Sequence, residues 1–263
     1  MANENIKGKR ISARHVKKEF LIEGQTLTVL QDINLEIEPG DIVSVIGASG
    51  CGKSTLLRLI AGLDFPTGGE VLVDGARVTK PSVDVGVLFQ ESRLLPWENT
   101  WKNIAFGLPE KFDKQEKARL VEQHIRLVGL EGFEKALPGQ LSGGMQKRVA
   151  IARTLINSPH VLLLDEPFGA LDAFTRMNLQ EEVVRIWKEK RMTTVLVTHD
   201  IDEAIFMGNK VVIMSPKPGV VKDVVKVELP EPRSRVSEDF ERIRMRVYRE
   251  FFGDDRPVED YVI

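Results

Sequence analysis

The segment Gly47-Ala48-Ser49-Gly50-Cys51-Gly52-Lys53-Ser54-Thr55 lies between a short apolar run, Ile42 to Ile46, and the helical pattern Leu56-Leu57-Arg58-Leu59-Ile60. A buried strand, a glycine-rich loop and a helix in that order commit this part of the chain to an α/β arrangement in which the loop opens onto the helix N-terminus. The glycines let successive backbone N–H groups converge on one anion, and the helix end adds partial positive charge. Lys53 is spaced to reach the β and γ phosphates of a nucleotide, and the Ser54 hydroxyl to ligate magnesium. Average composition would give this pattern by chance in about one chain in a hundred of this length, and the flanking strand and helix lower that further. The loop reads as a phosphate cradle whose candidate nucleotide-binding residues are Gly47, Ser49, Gly50, Cys51, Gly52, Lys53, Ser54 and Thr55. Cys51 is placed there as a small side chain rather than as a redox group.

The rest of the chain supplies a matching frame. Runs rich in branched residues at Val85 to Phe89, Val161 to Leu164 and Thr194 to Val197 alternate with helical patterns, as expected of a mostly parallel sheet covered by helices. Ile11 to Val16 and Leu27 to Ile37 mix polar and apolar positions, the pattern of an antiparallel sheet with one wet face. Between Trp101 and Ile156 the strand signal disappears, and Ala118, Val121, Ile125 and Val128 recur at helical spacing before Gly129, a helix stop. Val236, Phe240, Ile243, Val247 and Phe251 follow the same spacing, with Ser237 as N-cap and Gly253 beyond the end, so a docked C-terminal helix is expected. The fold class is therefore α/β: a P-loop core with a parallel sheet, an N-terminal antiparallel β lobe and an inserted helical lobe.

Composition narrows the function. The 263 residues include 37 basic and 39 acidic side chains, leaving a formal charge of -2, so no overall field favours nucleic acid. A single cysteine excludes an intramolecular disulfide, and Met1 to Arg14 has no apolar segment of the kind a secretory signal requires. No stretch approaches 18 apolar residues, so the chain reads as cytosolic and any membrane role needs a partner.

Two further segments carry chemistry. The run Val161-Leu162-Leu163-Leu164 ends in Asp165-Glu166, and charges at the end of a strand built for burial need a ligand or a reaction. Asp165 suits a magnesium ion held through water, and Glu166, pointing elsewhere, suits acceptance of a proton from an attacking water. Taken alone, Asp-Glu before Pro167 and Gly169 is as good a turn as a metal site; the phosphate cradle in the same chain favours chemistry. In Gln140-Leu141-Ser142-Gly143-Gly144-Met145-Gln146, Ser142 is a helix N-cap and Gly143 and Gly144 expose backbone N–H groups, ahead of a helix with Met145, Val149, Ala152 and Leu155 on one face.

Leu141-Ser142-Gly143-Gly144-Met145-Gln146 resembles the signature motif of ABC-type ATPases, and the order of motifs from about Ile11 to Val227 is similar as well. The resemblance implies an ABC transporter ATP-binding domain over residues 11–242, followed by a C-terminal helix and tail over 237–263. It makes Gln90 a contact of magnesium and attacking water, Glu166 and His199 catalytic, Asp172 a second aspartate loop, and Phe20 an aromatic that stacks on adenine. Magnesium falls to Ser54, Gln90 and Asp165. It further implies ATP with Mg2+ as cofactors and a head-to-tail homodimer in which Ser142, Gly143 and Gly144 cover the nucleotide of the other copy.

Gln90-Glu91-Ser92-Arg93-Leu94-Leu95-Pro96-Trp97, Asp172-Ala173-Phe174-Thr175-Arg176 and Met214-Ser215-Pro216-Lys217-Pro218-Gly219 are similar to segments of the ATPases of nitrate, sulfonate and taurine importers. That subgroup implies integral-membrane permease subunits docking near Trp97 and Trp101, an external solute-binding protein as indirect partner, no nucleic acid, and a peripheral place on the cytoplasmic face of the inner membrane. A soluble ABC-type ATPase of DNA repair, translation or iron–sulfur assembly would carry tandem nucleotide domains, a long coiled-coil insertion or a basic surface. A kinase or GTPase built on the same loop would lack Leu141-Ser142-Gly143-Gly144.

Overall fold

The computed structural model describes residues 8–109, 112–169 and 171–253; Ala170 and the tail beyond Gly253 lie outside the described residues. In chain order these form β1 (Ile11–Ile22), β2 (Gln25–Ile37), β3 (Ile42–Gly47), α1 (Lys53–Ile60), β4 (Gly68–Val73), β5 (Ala76–Arg77), β6 (Val85–Leu88), α2 (Thr100–Ala105), α3 (Lys114–Leu127), α4 (Gly143–Leu155), β7 (Val161–Asp165), α5 (Ala173–Lys190), β8 (Thr193–Val197), α6 (Ile201–Met207), β9 (Lys210–Met214), β10 (Val221–Lys226) and α7 (Glu238–Phe252). The chain divides into two compact units, one built on Ser82–Met192 and the other on Lys9–Pro81 with the chain from Thr193 on.

The second of these units holds the phosphate cradle. Its antiparallel sheet runs β2-β1-β4-β5, and β2 alternates buried with exposed positions from Ile33 to Ile37, as a sheet with one wet face requires. β3 pairs in parallel with both β8 and β9, and β10 closes onto β9 in antiparallel register. All of β3 and β8 is buried, which suits their branched apolar residues; the buried polar exceptions are Ser44, which donates to the Ala204 carbonyl at 2.9 Å, and Thr193 and Thr194. α7 docks in this unit through buried Phe240 and Val247, and Arg244 lies 3.6 Å from Asp202 of α6. Ser237 caps it by accepting from the Phe240 N–H at 3.2 Å. Val236, expected on its apolar face, is instead 96% exposed, because it precedes the cap and the helical repeat has not yet begun.

The other unit pairs β6 with β7 in parallel, Val85 opposite Val161 through Leu88 opposite Leu164. Between them in sequence come α2, α3 and α4, the inserted helical lobe. Val121, Ile125 and Val128 of the expected α3 stripe are buried, and Gly129 follows with φ 61. The turn ahead of α2 is fastened by Asn103, fully buried: its carbonyl oxygen accepts from the Leu95 N–H at 2.8 Å, and its amide donates to the carbonyls of Leu95 (3.1 Å), Glu98 (2.8 Å) and Asn99 (3.2 Å).

Candidate nucleotide site

The cradle begins where β3 delivers Gly47 and ends where α1 takes over at Lys53. Ala48, Ser49 and Gly50 are exposed at its rim, Gly47, Cys51, Gly52 and Lys53 are buried, and Ser54 and Thr55 are half-buried. Gly52 has φ 103, and a Cβ there would sit 2.4 Å from Cδ2 of Leu30, so neither the backbone nor the space admits another residue. The helix it opens is unlike the others: α2 to α7 each have a side-chain N-cap (Asn99, Asp113, Ser142, Asp172, Asp200 and Ser237), whereas α1 starts at Gly52 with none. Its first N–H groups therefore suit an anion in place of a side-chain oxygen. The Lys53 ammonium donates to the carbonyls of Gly47 at 2.7 Å and Ala48 at 3.1 Å, which holds its charge at the loop.

A second loop supports the first. Between β9 and β10, Gly219 donates its N–H to Val29 O and accepts from the Gln31 N–H, both at 2.9 Å, and its Cα lies so close to the cradle that an added Cβ would come within 2.0 Å of the Cys51 carbonyl. Prolines on both sides of Lys217 and the Ser215–Val220 hydrogen bond at 3.0 Å shape this turn. Phe20, near the end of β1, is 37% exposed, and the Lys18 ammonium lies 4.8 Å from its ring centroid. His199 is exposed just past β8, between buried Thr198 and Asp200, which caps α6 by accepting from the Glu203 N–H at 2.9 Å.

The remaining expected residues belong to the other unit. β6 ends at Leu88, one residue earlier than its sequence pattern indicates, so Gln90 stands in the loop and not at the strand end. Its side-chain amide donates to Glu166 Oε2 at 3.1 Å. Asp165 closes β7, and Glu166 follows with φ 45, a left-handed conformation that a residue with a Cβ adopts at a cost and that turns the chain between the two carboxylates. Ser142 caps α4 by accepting from the Met145 N–H at 3.3 Å, and Gly143 and Gly144 form its first turn. Asp172 caps α5 by accepting from the Thr175 N–H at 2.9 Å; that backbone bond and one from the Thr175 side chain hold its carboxyl below the usual aspartate range.

Sequence patterning overlooked two cations of α4. Lys147 is 2% exposed and donates to the carbonyls of Phe89 at 2.8 Å and Gln90 at 2.7 Å. Burial lowers its pKa, against the opposing pull of Asp165 and Glu166. Arg153, two turns on, donates to Ser92 and Arg93. The available signal is their position around the apolar stretch Val149-Ala150-Ile151-Ala152, where a helix is covered on all sides.

The donors assigned to a metal are hard oxygens, from Ser54, Gln90 and Asp165, and among the described residues no three of His, Cys, Asp and Glu group as a metal site. This set fits magnesium, which takes few protein ligands and completes its shell with phosphate oxygens and water, and does not fit zinc.

Comparison with known proteins gives a consistent picture. A family model described as ABC transporter matches residues 30–169. The aliphatic sulfonates import ATP-binding protein of Bacillus cereus is 53% identical over 241 residues, 92% of this chain and 95% of that protein. The corresponding protein of Bacillus subtilis is 50% identical over 235 residues, 89% of this chain and 91% of that one. The bicarbonate transport ATP-binding protein of Synechococcus elongatus is 46% identical over 231 residues, 86% of this chain but 35% of the relative. Among solved structures, an ATP-binding cassette in a dimeric post-hydrolysis state bound to ADP and Pi superposes with a TM-score of 0.76 at 32% identity, covering 83% of this chain and 99% of that one.

Proposed function

This chain belongs to the ABC transporter family as an ATP-binding, ATP-hydrolysing member, and from that premise we propose that it powers a bacterial importer of aliphatic sulfonates or a related small solute such as nitrate, taurine or bicarbonate. The observation that carries the chemistry is the hydrogen bond from Gln90 to Glu166, which joins the side chain suited to hold water and metal to the one suited to accept a proton. In this reading Gly47 to Thr55 bind the phosphates, Lys53 compensates their charge, and Phe20 stacks on the adenine. Ser54, Gln90 and Asp165 hold magnesium, which when bound neutralises charge developing on the phosphates. Glu166 takes the proton of the attacking water, and His199 contacts the γ-phosphate.

Two copies close head to tail, each presenting Ser142, Gly143, Gly144 and Asp172 to the nucleotide of the other. ATP favours the closed pair because both copies contact it, and hydrolysis removes that differential contact. The described residues contain no helix long and apolar enough to cross a membrane. The transmembrane path is therefore assigned to separate permease subunits, docked near exposed Trp97, with the chain peripheral on the cytoplasmic face and an external binding protein delivering solute.

The test is to tag the chain, purify it from gently solubilised membranes of its native cell, and identify its companions by mass spectrometry. A multispan permease in equal amount is expected, and its relatives and binding protein identify the solute. Recovery of soluble proteins alone, under detergents that keep other transporters intact, would overturn the transport assignment and leave a soluble ATPase.

A further inference from the structure

The loop from Phe89 to Arg93 is held by side chains in place of a backbone ladder. β6 has ended at Leu88, yet four carbonyls beyond it are bound by two cations of one helix: Lys147 takes Phe89 and Gln90 at 2.8 and 2.7 Å, and Arg153 takes Arg93 and Ser92 at 3.0 and 2.9 Å. Arg93 is fixed further by a left-handed φ of 43 and by its guanidinium 4.2 Å from the centroid of the Phe89 ring. At the next stage of the chain Asn103 of α2 takes over, binding both polar groups of the Leu95 backbone. Loops of this kind ordinarily move independently of their neighbours. Charge-assisted bonds from buried Lys147 and half-buried Arg153 restrict that freedom, because a carbonyl leaving its cation forfeits one of the two bonds that the cation makes.

The helix supplying the cations is α4, whose N-cap is Ser142, about one and a half turns before Lys147 at 3.6 residues per turn. Gln90 and the signature end of α4 are therefore fastened through Lys147, with nothing but one side chain between them. We propose that Lys147 and Arg153 are positioning residues: they clamp the Gln90 loop onto α4 and so hold the Gln90 amide at Glu166. This inference rests on the reading of Gln90 as a contact of metal and attacking water.

The experiment uses the full chain with Lys147→Met, Lys147→Arg and Arg153→Lys. Hydrogen exchange reports on amides 90–95, nucleotide titration on ATP affinity, and steady-state kinetics on kcat and KM. For Lys147→Met, exchange at residues 90–95 accelerates about tenfold or more while β7 and the interior of α4 keep their protection, as expected for losing one charge-assisted pair of bonds. Its kcat falls about tenfold with ATP affinity within about threefold of wild type, since Gln90 is misplaced and the cradle is untouched. Lys147→Arg keeps the charge and restores kcat to within about threefold.

Unchanged exchange overturns the staple. Faster local exchange with unchanged kcat overturns its role in positioning Gln90, and a uniform rise in exchange across the unit shows a merely structural lysine. Should Lys147→Met fail to fold, Arg153→Lys is expected to loosen residues 92–93 alone, and its failure to do so counts against the proposal equally. Glu166→Gln, run in parallel, separates the levels: normal turnover there defeats the catalytic reading itself, whereas a dead Glu166→Gln beside a normal Lys147→Met defeats only the staple.

Discussion

Gly219→Ala should impair a nucleotide site that Gly219 itself does not form. An added methyl would stand 2.0 Å from the Cys51 carbonyl oxygen, where ordinary contact needs at least 3.4 Å, so the two backbones must part by about 1.4 Å. Cys51 lies inside the cradle and cannot yield without turning N–H groups away from the phosphates. Gly219 cannot yield without stretching its bonds to Val29 and Gln31, both 2.9 Å. Loss of two backbone hydrogen bonds costs about 2 kcal/mol net, within the roughly 1–3 kcal/mol typical of overpacking. For a chain of this size that lowers the melting temperature by about 4–8 °C. If the cradle shares the shift, a displacement near 1 Å costs on the order of a hundredfold in turnover, so kcat/KM for ATP should fall by between about tenfold and a hundredfold. Thermal melts and ATP kinetics on Gly219→Ala read both numbers. Gly139→Ala, where nothing lies within 4 Å of the added methyl, is the control and should stay within about 0.5 kcal/mol of wild type. Wild-type melting and wild-type kinetics for Gly219→Ala would refute the claim that this loop braces the cradle.

Lys53→Ala removes a charge-assisted contact, and ATP affinity by equilibrium titration should fall about tenfold or more; undiminished affinity would contradict the phosphate assignment. Asn103→Ala strands the Leu95 N–H in the helical lobe and should cost about 2–3 kcal/mol, read as a lower urea midpoint at unchanged slope. Burial lowers the pKa of His124 despite a hydrogen bond to the Leu120 carbonyl. The unfolded chain takes up a proton near its ordinary value of 6.5 that the folded chain refuses. Stability is therefore full above that pH and declines as pH falls from there through the depressed folded value. His124→Gln should flatten that decline in denaturation series at pH 5.5 and 7.5, and an unchanged slope would count against it.

The phosphate cradle was legible because its chemistry is local: strand, glycines, lysine and helix are consecutive, and the structure places them as the sequence orders them. Helix starts at Ser142 and Ser237 were legible for the same reason, since a cap bonds an N–H only three residues away. What escaped was long-range. Lys147 drew no attention in the sequence because nothing within α4 shows that two carbonyls nearly sixty residues earlier await it. The apolar stripe placed on Met145, Val149, Ala152 and Leu155 was misjudged for the same reason: Met145 is only half-buried while Ala150 and Ile151 are buried with the other three, and helical periodicity fades in a helix enclosed by its neighbours. Gly219 carried no signal beyond a turn after proline, its close approach to Cys51 depending on how β2 and the β9–β10 loop meet. The strands β4 and β5 were missed because β4 opens on Gly68-Gly69, which reads as a turn, and β5 is only two exposed residues.

The most direct test of the central claim is Glu166→Gln at saturating Mg-ATP, measuring turnover together with mass by sedimentation. The account predicts hydrolysis reduced by on the order of a hundredfold or more, nucleotide still bound, and a shift from the 29.6 kDa chain to a species of twice that mass held by ATP. Turnover near wild type would place the proton acceptor elsewhere, and a mass unmoved by ATP would contradict closure of two copies around the nucleotide.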